Sequence, residues 1–317
     1  MKDGILVVNK PEGMSSAGVV GRLKRLLQVK KIGHTGTLDP FATGVLLIAV
    51  GKATRISRFF LDGHKGYRAR VTLGVETDTY DCTGSQSAKA DPDALAKIDP
   101  EAVSNVVTSF SGKQEQIPPA FSALKHKGQP LYKLARQGKM IQKPPRQIEI
   151  FHISMENYTV SSEGLPELDV NVLCSGGTYI RSLAFDMGKK LGCGAHLSGL
   201  CRTRSSQFYI EDAVDLESIE IMERTQIEKR IVPMSQCLKF LPAIEADEAT
   251  AQKIKYGQPL KVEELGPPNI KPAIENKTAF KEDEDQFRII DQNDILLAIV
   301  RPDKTGQTYK YCCVFSG

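Results

Sequence analysis

The amino-acid sequence predicts an α+β protein: a mixed, largely antiparallel central sheet with flanking helices, followed by a small β-rich C-terminal module. Two observations support the sheet. Residues 45–50 are continuously apolar, which is typical of a strand buried on both faces, and residues 67–75 alternate between apolar and polar side chains. A third observation supports the helices, because segments between these strands carry apolar residues at helical spacing.

The N-terminal part of the chain predicts a strand, a helix and a glycine-rich loop. Residues 5–8 are apolar and end at the turn sequence NKPEG. Ser15 or Ser16 can cap the helix that follows, because a serine hydroxyl accepts a hydrogen bond from a free backbone N–H group. Residues 33–40 then form a loop before the buried strand. The apolar face of the helix comprises Val19, Val20, Leu23, Leu26 and Leu27.

The middle of the chain predicts further strands and helices around a long loop. Asp99 and Pro100 are a cap and a first-turn residue typical of a helix start. Residues 113–147 are polar and basic and contain five prolines, so we expect a functional loop around one short helix at 131–136. Strands are predicted at 148–153 and 168–174, and a helix follows from Tyr179 to about Leu191, where Gly192 ends it.

The character of the sequence changes after about residue 240. We predict a helix at 245–256, a loop at 266–268 and short strands at 287–290, 295–300 and 309–315. The chain therefore divides into a large domain at 1–240 and a small domain at 241–317.

Charge is distributed unevenly along the chain, although the formal net charge is only +4. Residues 1–70 have a net charge of +9 and residues 111–150 have +6, whereas residues 71–110 have −5 and residues 211–317 have −6. A polyanion that binds the N-terminal two-thirds would explain this pattern, and so would a solvated basic face without a partner.

Several classes of protein are excluded by composition. No run approaches the roughly 18 apolar residues that a membrane-spanning helix needs, and no export signal is evident at the N-terminus. The seven cysteines include no C-x-x-C pair, and the five histidines are scattered, so we expect neither a metal site nor a disulfide framework. We expect a cytoplasmic protein with reduced thiols.

The loop at residues 33–44 (GHTGTLDPFATG) is the strongest candidate for chemistry. It lacks the pattern of a phosphate-binding loop, and Asp39 at its centre would repel a phosphate. An Asp-Pro pair is often only a helix cap. Here glycines lie on both sides of Asp39 and a buried strand follows directly, which would hold a catalytic carboxylate rigidly.

Eight segments in order make the sequence similar to the bacterial tRNA T-loop pseudouridine synthases of the TruB type. The similarity is dense over residues 4–210 and loose after that. The segments are residues 4–16 (GILVVNKPEGMSS), 33–44, 65–67 (KGY), 74–81 (GVETDTYD), 116–125 (QIPPAFSALK), 131–138 (LYKLARQG), 177–183 (GTYIRSL) and 191–196 (LGCGAH).

This resemblance implies that the chain isomerises the uridine at position 55, in the T-loop of tRNA, to pseudouridine without a cofactor or metal. Asp39 aligns with the family's essential aspartate, which attacks either the ribose or the base of the nucleotide. Arg181 aligns with the arginine that pairs with this carboxylate, and we expect the pair to hold the pKa of Asp39 down.

The resemblance also assigns residues to the substrate, which must be flipped out of the T-loop before a carboxylate can reach it. Tyr67 aligns with the tyrosine that stacks on the target base and takes part in proton transfer. Tyr179 and Leu200 align with residues that line the uracil pocket. His34 aligns with the histidine that fills the space left by the base, and Lys10 with a residue that supports the site or contacts the RNA backbone.

At the level of domains, the resemblance implies the pseudouridine synthase fold, with a catalytic domain at 1–240, an RNA-binding insertion at 113–147 and a PUA-like C-terminal domain at 241–317. We expect tRNA as the partner and neither a membrane nor an obligate protein partner. The acidic run at 282–285 argues against extended RNA contact through the small domain. Ser206 stands where the family often has glycine, which could alter a turn.

Two alternatives remain open. The first is a protein that binds or folds tRNA without catalysis, which would have no need for the carboxylate of Asp39. The second is a guide-RNA-dependent relative that works inside a ribonucleoprotein, although such chains usually carry lysine-rich tails.

Overall fold

The computed structural model of this chain describes residues 2–265 and 286–315. The loop predicted at 266–268 and the acidic run at 282–285 lie outside these residues. Twenty strands are present in the described part: β1 Gly4–Lys10, β2 Ile32–His34, β3 Thr43–Val50, β4 Lys65–Leu73, β5 Val75–Thr77, β6 Gln86–Lys89, β7 Gly112–Gln116, β8 Lys125–His126, β9 Gln129–Pro130, β10 Arg146–Val160, β11 Pro166–Cys174, β12 Ala195–Ser205, β13 Phe208–Tyr209, β14 Val214–Asp215, β15 Val232–Pro233, β16 Ala243–Glu245, β17 Leu260–Lys261, β18 Phe287–Ile290, β19 Leu296–Pro302 and β20 Thr308–Val314.

The helices are mostly short, and two 3₁₀ turns, Gly51–Arg55 and Ile210–Asp212, accompany them. The same described ranges contain eleven α-helices: α1 Ser16–Leu27, α2 Arg58–Leu61, α3 Pro92–Leu95, α4 Pro100–Thr108, α5 Leu131–Ala135, α6 Ile180–Leu191, α7 Leu216–Ile221, α8 Arg224–Arg230, α9 Met234–Cys237, α10 Glu248–Lys255 and α11 Val262–Leu265. None of them is long and apolar enough to cross a membrane.

An 11-stranded sheet forms the body of the molecule, with the strand order β14-β1-β3-β12-β4-β11-β10-β7 and with β2, β13 and β15 paired at the side. In this sheet β1 pairs with β14 and β3 with β12 in parallel, and the other pairs are antiparallel. The prediction of an α+β fold on a mixed, largely antiparallel sheet is therefore confirmed.

Strand β3 is buried on both faces, as its continuous apolar run predicts. Val45 and Leu47 point into one apolar cluster, whereas Leu46 and Ile48 point into another on the opposite face. Helix α1 covers the second cluster with Val19, Leu23 and Leu27, and Ser15 caps its N-terminus by accepting a hydrogen bond from the backbone N–H of Gly18. This packing fixes both ends of the loop between β2 and β3.

Strand β4 lies between β12 and β11, near the middle of the sheet. Its apolar face packs against helices α4 and α6 in a third cluster, which also contains Leu38 and Phe41 from the loop that carries Asp39. Helix α6 begins after Tyr179 and ends at Gly192, whose left-handed backbone (φ 77°) suits glycine. The predicted end of this helix is confirmed.

Several elements differ from the sequence prediction for physical reasons. Residues 32–34 form strand β2 instead of a loop, because their backbone pairs with β3. Residues 112–116 form the polar edge strand β7, so the insertion begins only after Gln116. Strand β12 was not predicted because charged and polar side chains interrupt its apolar pattern. The predicted helix at 245–256 starts later, since Glu245 belongs to β16.

The C-terminal strands form a separate five-stranded sheet with the order β16-β18-β19-β20-β17. This sheet shares an apolar cluster with the first one, because Leu296, Ile299 and Phe315 pack with Ile5 and Leu47. The contact includes a hydrogen bond of 2.8 Å from Lys52 Nζ to the carbonyl oxygen of Phe315. The two sheets are therefore joined through apolar packing as well as through the chain.

Candidate active site

The backbone of the loop that carries Asp39 is hydrogen-bonded to the first residue of helix α1 and to the segment before it. Ser16 Oγ accepts from the N–H of Leu38 at 2.8 Å and donates to the carbonyl oxygen of Leu38 at 3.0 Å. The N–H of Gly13 donates to the carbonyl oxygen of Pro40 at 2.8 Å. The residues on both sides of Asp39 are thus held by the N-terminal segment.

Lys10 supports the same loop from below. Its side chain is fully buried, and Nζ donates to the carbonyl oxygens of Pro11, Met14 and Pro40 at 2.7, 2.6 and 3.1 Å. Burial lowers the pKa of Lys10 to about 8, an effect that the carboxylate of Asp39 opposes. An ammonium group has three donors and all three are used here. Of the two roles predicted for Lys10, these contacts favour support of the site over contact with RNA.

Arg181 and Asp39 form a two-point ion pair. Arg181 Nε lies 2.9 Å from Asp39 Oδ2, and Arg181 Nη2 donates to Asp39 Oδ1 at 3.2 Å. The guanidinium is buried, with 5% of the Arg181 side chain exposed, whereas 33% of the Asp39 side chain is exposed. The carboxylate is therefore held from behind and remains accessible from the front.

The guanidinium of Arg181 is itself fixed by further partners. It donates to the carbonyl oxygens of Thr79 and Phe121 at 3.0 and 2.8 Å. Its Nη1 lies 3.4 Å from Oδ2 of Asp81, a buried carboxylate that was not predicted as a site residue. Asp81 lies in the quoted segment 74–81, so its position was available as a signal. Because a planar guanidinium has a fixed fork of donors, these contacts set its orientation toward Asp39.

The expected direction of the pKa of Asp39 was wrong. Desolvation by burial raises the pKa of Asp39 from its ordinary value of 3.8, and the nearby carboxylate of Asp81 adds to the rise. Arg181 and Lys10 oppose the shift without reversing it. From the sequence, pairing with Arg181 predicts a lowered pKa for Asp39. The burial that raises this pKa cannot be predicted from the residues around a loop carboxylate.

Tyr67 lies on β4 with 9% of its surface exposed, in the apolar cluster that contains Leu38 and Phe41. Burial raises the pKa of Tyr67 to about 12, so its hydroxyl stays protonated at neutral pH. Directly opposite on β12 lies Arg202, a buried residue that sequence reasoning missed. Its segment, LCRTRSS, gave no signal beyond its charge.

Tyr179 occupies the position before helix α6 and is fixed through its backbone. The side-chain amide of Gln116 donates to the carbonyl oxygen of Tyr179 at 2.9 Å and accepts from its N–H at 2.8 Å. The guanidinium carbon of Arg146 lies 4.6 Å from the centre of the Tyr179 ring, a cation–π contact. Arg181 follows two residues later, so the same contacts fix the first turn of α6.

His34 and Leu200 lie near the loop on two different strands. His34 ends β2 and is half-buried, and burial together with Arg202 lowers its pKa, so the ring is neutral at pH 7. Leu200 faces Ala69 across the β12–β4 pair. It lines a cavity of about 270 Å³ together with residues on both sides of the sheet, among them Phe41, Thr43, Arg68 and Ser198.

The structure therefore brings Asp39 and Arg181 into direct contact and places Lys10 beneath their loop. Tyr67 shares an apolar cluster with the residues that flank Asp39. Helix α6 begins directly after Tyr179 and carries Arg181 in its first turn.

Comparison with known proteins shows similarity over most of the chain. Residues 24–180 match the TruB family pseudouridylate synthase N-terminal domain, and residues 181–239 match the tRNA pseudouridylate synthase B C-terminal domain. A protein of Syntrophotalea carbinolica named tRNA pseudouridine synthase B is 44% identical over 81% of each chain. Its namesake in Thermotoga petrophila is 41% identical over 84% of this chain and 82% of the relative.

Solved structures show the same fold. A chain of a Cbf5–Nop10–Gar1 complex superposes with a TM-score of 0.71 at 26% identity, covering 99% of this chain and 85% of that chain. A chain of the archaeal box H/ACA Nop10–Cbf5 complex superposes with a TM-score of 0.70 at 23% identity over 99% of this chain and 86% of that one. The chain belongs to the TruB family of pseudouridylate synthases and is an isomerase.

Proposed function

We propose that this enzyme isomerises the T-loop uridine of tRNA, at position 55, to pseudouridine, with Asp39 as the nucleophile. The observation that carries the proposal is the ion pair between Asp39 and Arg181, in which the arginine is buried and the carboxylate is partly open. Its relatives at 40–49% identity bear the name tRNA pseudouridine synthase B, which supports tRNA as the substrate.

The reaction conserves all atoms of the nucleotide. The bond between C1′ of the ribose and N1 of uracil breaks, and a bond between C1′ and C5 forms. The proton on C5 is lost and N1 gains a proton, so no cofactor has to supply or accept electrons. The Asp39 carboxylate attacks either C1′ or the uracil ring, and the covalent adduct is released when the base has turned.

The surroundings of Asp39 suit a nucleophile. Arg181 fixes both carboxylate oxygens and is held in turn by backbone carbonyls, so little reorganisation is needed during attack. Tyr67 would stack on the uracil, and base–aromatic stacking contributes about 1–3 kcal/mol. Its protonated hydroxyl would give its proton to N1 of the released base, and the phenolate so formed would take up the proton from C5, which restores the hydroxyl.

The substrate uridine has to leave the T-loop before it reaches Asp39. We propose that Tyr179 and Leu200 line the pocket for the flipped uracil and that the neutral ring of His34 fills the space it leaves. Lys10 acts on the loop by the three carbonyl contacts described above.

At the level of domains, we propose a catalytic domain at 1–240, with RNA-binding surface in the basic segment 113–147, whose insertion begins after Gln116, and a PUA-like domain at 241–317. The insertion and residues 1–70 carry the positive charge of the chain, which favours contact with RNA phosphates. Because tRNA is modified where it is made and used, we place the activity in the cytoplasm.

A guide-RNA-dependent role is the alternative that the solved structures suggest, because a chain of a Cbf5 complex has the same fold. Identity to that chain is 26%, compared with 44% to the synthase of Syntrophotalea carbinolica, which favours a stand-alone enzyme. The experiment below separates the two, because it contains no guide RNA and no protein partner.

The proposed function is tested with purified protein and an unmodified tRNA transcript, followed by mapping of pseudouridine along the RNA. We expect pseudouridine at position 55 alone. Modification of the anticodon arm would keep the reaction and overturn the substrate. Binding without any pseudouridine would overturn catalysis and favour a tRNA-folding role or a need for guide RNA.

A further inference from the structure

Arg202 occupies the centre of the sheet beneath the candidate site. In the strand register it lies directly opposite Tyr67 on one side and opposite Gly44 on the other. Residues directly opposite each other in an antiparallel pair project to the same face, so the side chains of Arg202 and Tyr67 share a face. Arg202 is 2% exposed, which leaves no direct path from its guanidinium to bulk solvent.

The donors of Arg202 connect the sheet to the loop that carries Asp39. Nε donates to the carbonyl oxygen of Val45 on β3 at 2.7 Å. Nη2 donates to the carbonyl oxygen of Gly36 at 3.3 Å, and Nη1 makes a weaker contact of 3.5 Å with that of Thr37. These two carbonyls belong to the residues three and two positions before Asp39. The guanidinium therefore fixes the approach of the loop to the nucleophile.

The same guanidinium influences the hydroxyl of Tyr67. Arg202 faces Tyr67 across the β12–β4 pair, and its charge opposes the rise in the pKa of Tyr67 that burial causes. A guanidinium donates and cannot accept. The Tyr67 hydroxyl therefore cannot donate to Arg202, and its hydrogen has to go to another acceptor.

The charge of Arg202 is not neutralised by an acidic neighbour in the described part of the chain. The hydrogen bonds of its side chain go to the backbone carbonyls of Val45, Gly36 and Thr37, whereas the buried carboxylates Asp39 and Asp81 pair with Arg181. Burying an unpaired cation is costly. A residue that served only to fill the core would be better replaced by an apolar side chain, so this cost indicates a role in the site.

We propose that Arg202 is a positioning residue for the isomerisation, which holds the loop of Asp39 and the hydroxyl of Tyr67 in one fixed arrangement. This inference rests on the proposed function. Arg202 itself does not touch the substrate. It acts on the carboxylate through the carbonyls of Gly36 and Thr37, and on the phenol from the facing position on β12.

The first test measures single-turnover pseudouridine formation and tRNA affinity for Arg202→Met and Arg202→Lys. We expect the methionine variant to lose about 100-fold in rate, because a small displacement of reacting groups has costs of this size. The lysine variant keeps the charge but lacks the fork of donors, so its rate should lie between those of the wild type and of Arg202→Met. The Kd for tRNA should stay within about threefold of wild type in both variants, since Arg202 is buried away from the RNA.

The second test is a double-mutant cycle with Tyr67→Phe, which removes the hydroxyl and keeps the ring. If Arg202 and the hydroxyl act as one unit, the double variant should be no slower than the slower single variant, within about threefold. If the two groups act independently, the rate reductions of the two single variants would multiply in the double variant. A merely structural role for Arg202 would slow the enzyme without this dependence on the Tyr67 hydroxyl. Arg204→Met is the matched control, because Arg204 lies on the same strand but bonds to Ser206.

Thermal unfolding of each variant separates misfolding from misplacement. If Arg202→Met does not fold, the double-mutant cycle is carried out with Arg202→Lys and Tyr67→Phe, and its result tests the inference. Wild-type rates in the folded variants, or effects that multiply with Tyr67→Phe, would overturn the inference. A wild-type protein that forms no pseudouridine would refute the proposed function and this inference with it, whereas an active wild type with unaffected variants would refute this inference alone.

Discussion

Asp39 is desolvated by its surroundings and has to remain ionised to act as a nucleophile. Burial favours the neutral acid, and the guanidinium of Arg181 favours the carboxylate. A carboxylate held at this balance is more nucleophilic than one that is fully solvated, because less water must be removed before attack. The cost is a pKa above the ordinary value of 3.8.

The first prediction concerns the pH dependence of the rate. On the proposal that Asp39 attacks as a carboxylate, single-turnover pseudouridine formation should fall as pH decreases through the raised pKa of Asp39. Arg181→Met removes the group that opposes this rise, so its acidic limb should move to higher pH. Rates measured from pH 5 to 8 at saturating enzyme check this. Arg224→Met, which removes an exposed ion pair with Glu228 in helix α8, is the control, and an unmoved limb in Arg181→Met would contradict the prediction.

The second prediction concerns Ser206, which follows β12 with a left-handed backbone (φ 56°). This conformation is sterically unfavourable for a residue other than glycine. In addition, the buried hydroxyl of Ser206 has no hydrogen-bond partner among the described residues. Ser206→Gly should therefore raise the free energy of unfolding by about 1 kcal/mol, net of the greater flexibility of glycine in the unfolded chain. Urea unfolding measures this. The exposed Ser162→Gly should give no gain, and a destabilised Ser206→Gly would count against the strain.

At the scale of elements, apolar pattern predicted β3, β4, α1 and α6 because each has one or two clearly apolar faces. The pattern failed where function requires polar residues inside the sheet. Strand β12 carries Arg202 and Arg204 at inner or half-buried positions, so it does not resemble a buried strand in sequence. The resemblance pointed to Asp39 and Arg181 as candidate site residues. The roles of Arg202 and Gln116 became visible only in the structure, because each contacts a segment that is distant in sequence.

The third prediction concerns the contact between β3 and β12 at Gly44. Its backbone has φ 99°, and a Cβ there would lie 2.3 Å from the carbonyl oxygen and 2.7 Å from the nitrogen of Arg202. Gly44→Ala should therefore separate the two strands and lower the free energy of unfolding by about 3 kcal/mol or more. Gly21→Ala is the control in helix α1, where a Cβ meets nothing within 4 Å. There we expect a gain of about 0.5–1 kcal/mol, since alanine favours helix.

Equal stability of the two alanine variants in urea would contradict this account of the sheet. Activity should follow the same order, because the displaced strand carries Arg202. A stable but inactive Gly44→Ala would instead show that the site is more sensitive than the fold to this contact.

At the scale of the whole molecule, the enzyme combines a basic N-terminal half with an acidic C-terminal part. Both sheets meet in one apolar cluster, so the small sheet is held against the back of β1 and β3. We propose that the positively charged half contacts the phosphate backbone of tRNA, and such contacts release counterions. Affinity for tRNA should therefore depend strongly on salt concentration, whereas the chemical step should not.

The fourth prediction tests the basic face of α1, where Lys24 and Arg25 are exposed. Replacing both with glutamine should weaken tRNA binding and reduce the slope of log Kd against log salt by about 1.5–2. The single-turnover rate at saturating enzyme should not change. The control replaces the exposed Lys89 and Lys97, which lie in the acidic segment 71–110. An equal effect of both pairs would show that only net charge matters.

The most direct measurement compares wild type with Asp39→Asn on an unmodified tRNA transcript, recording tRNA affinity and pseudouridine at position 55 together. The asparagine keeps the shape of the side chain and its place beside Arg181 but cannot act as a nucleophile. We predict a Kd within about threefold of wild type and a rate lower by at least about 10³-fold. Full conversion of position 55 by Asp39→Asn would contradict the account.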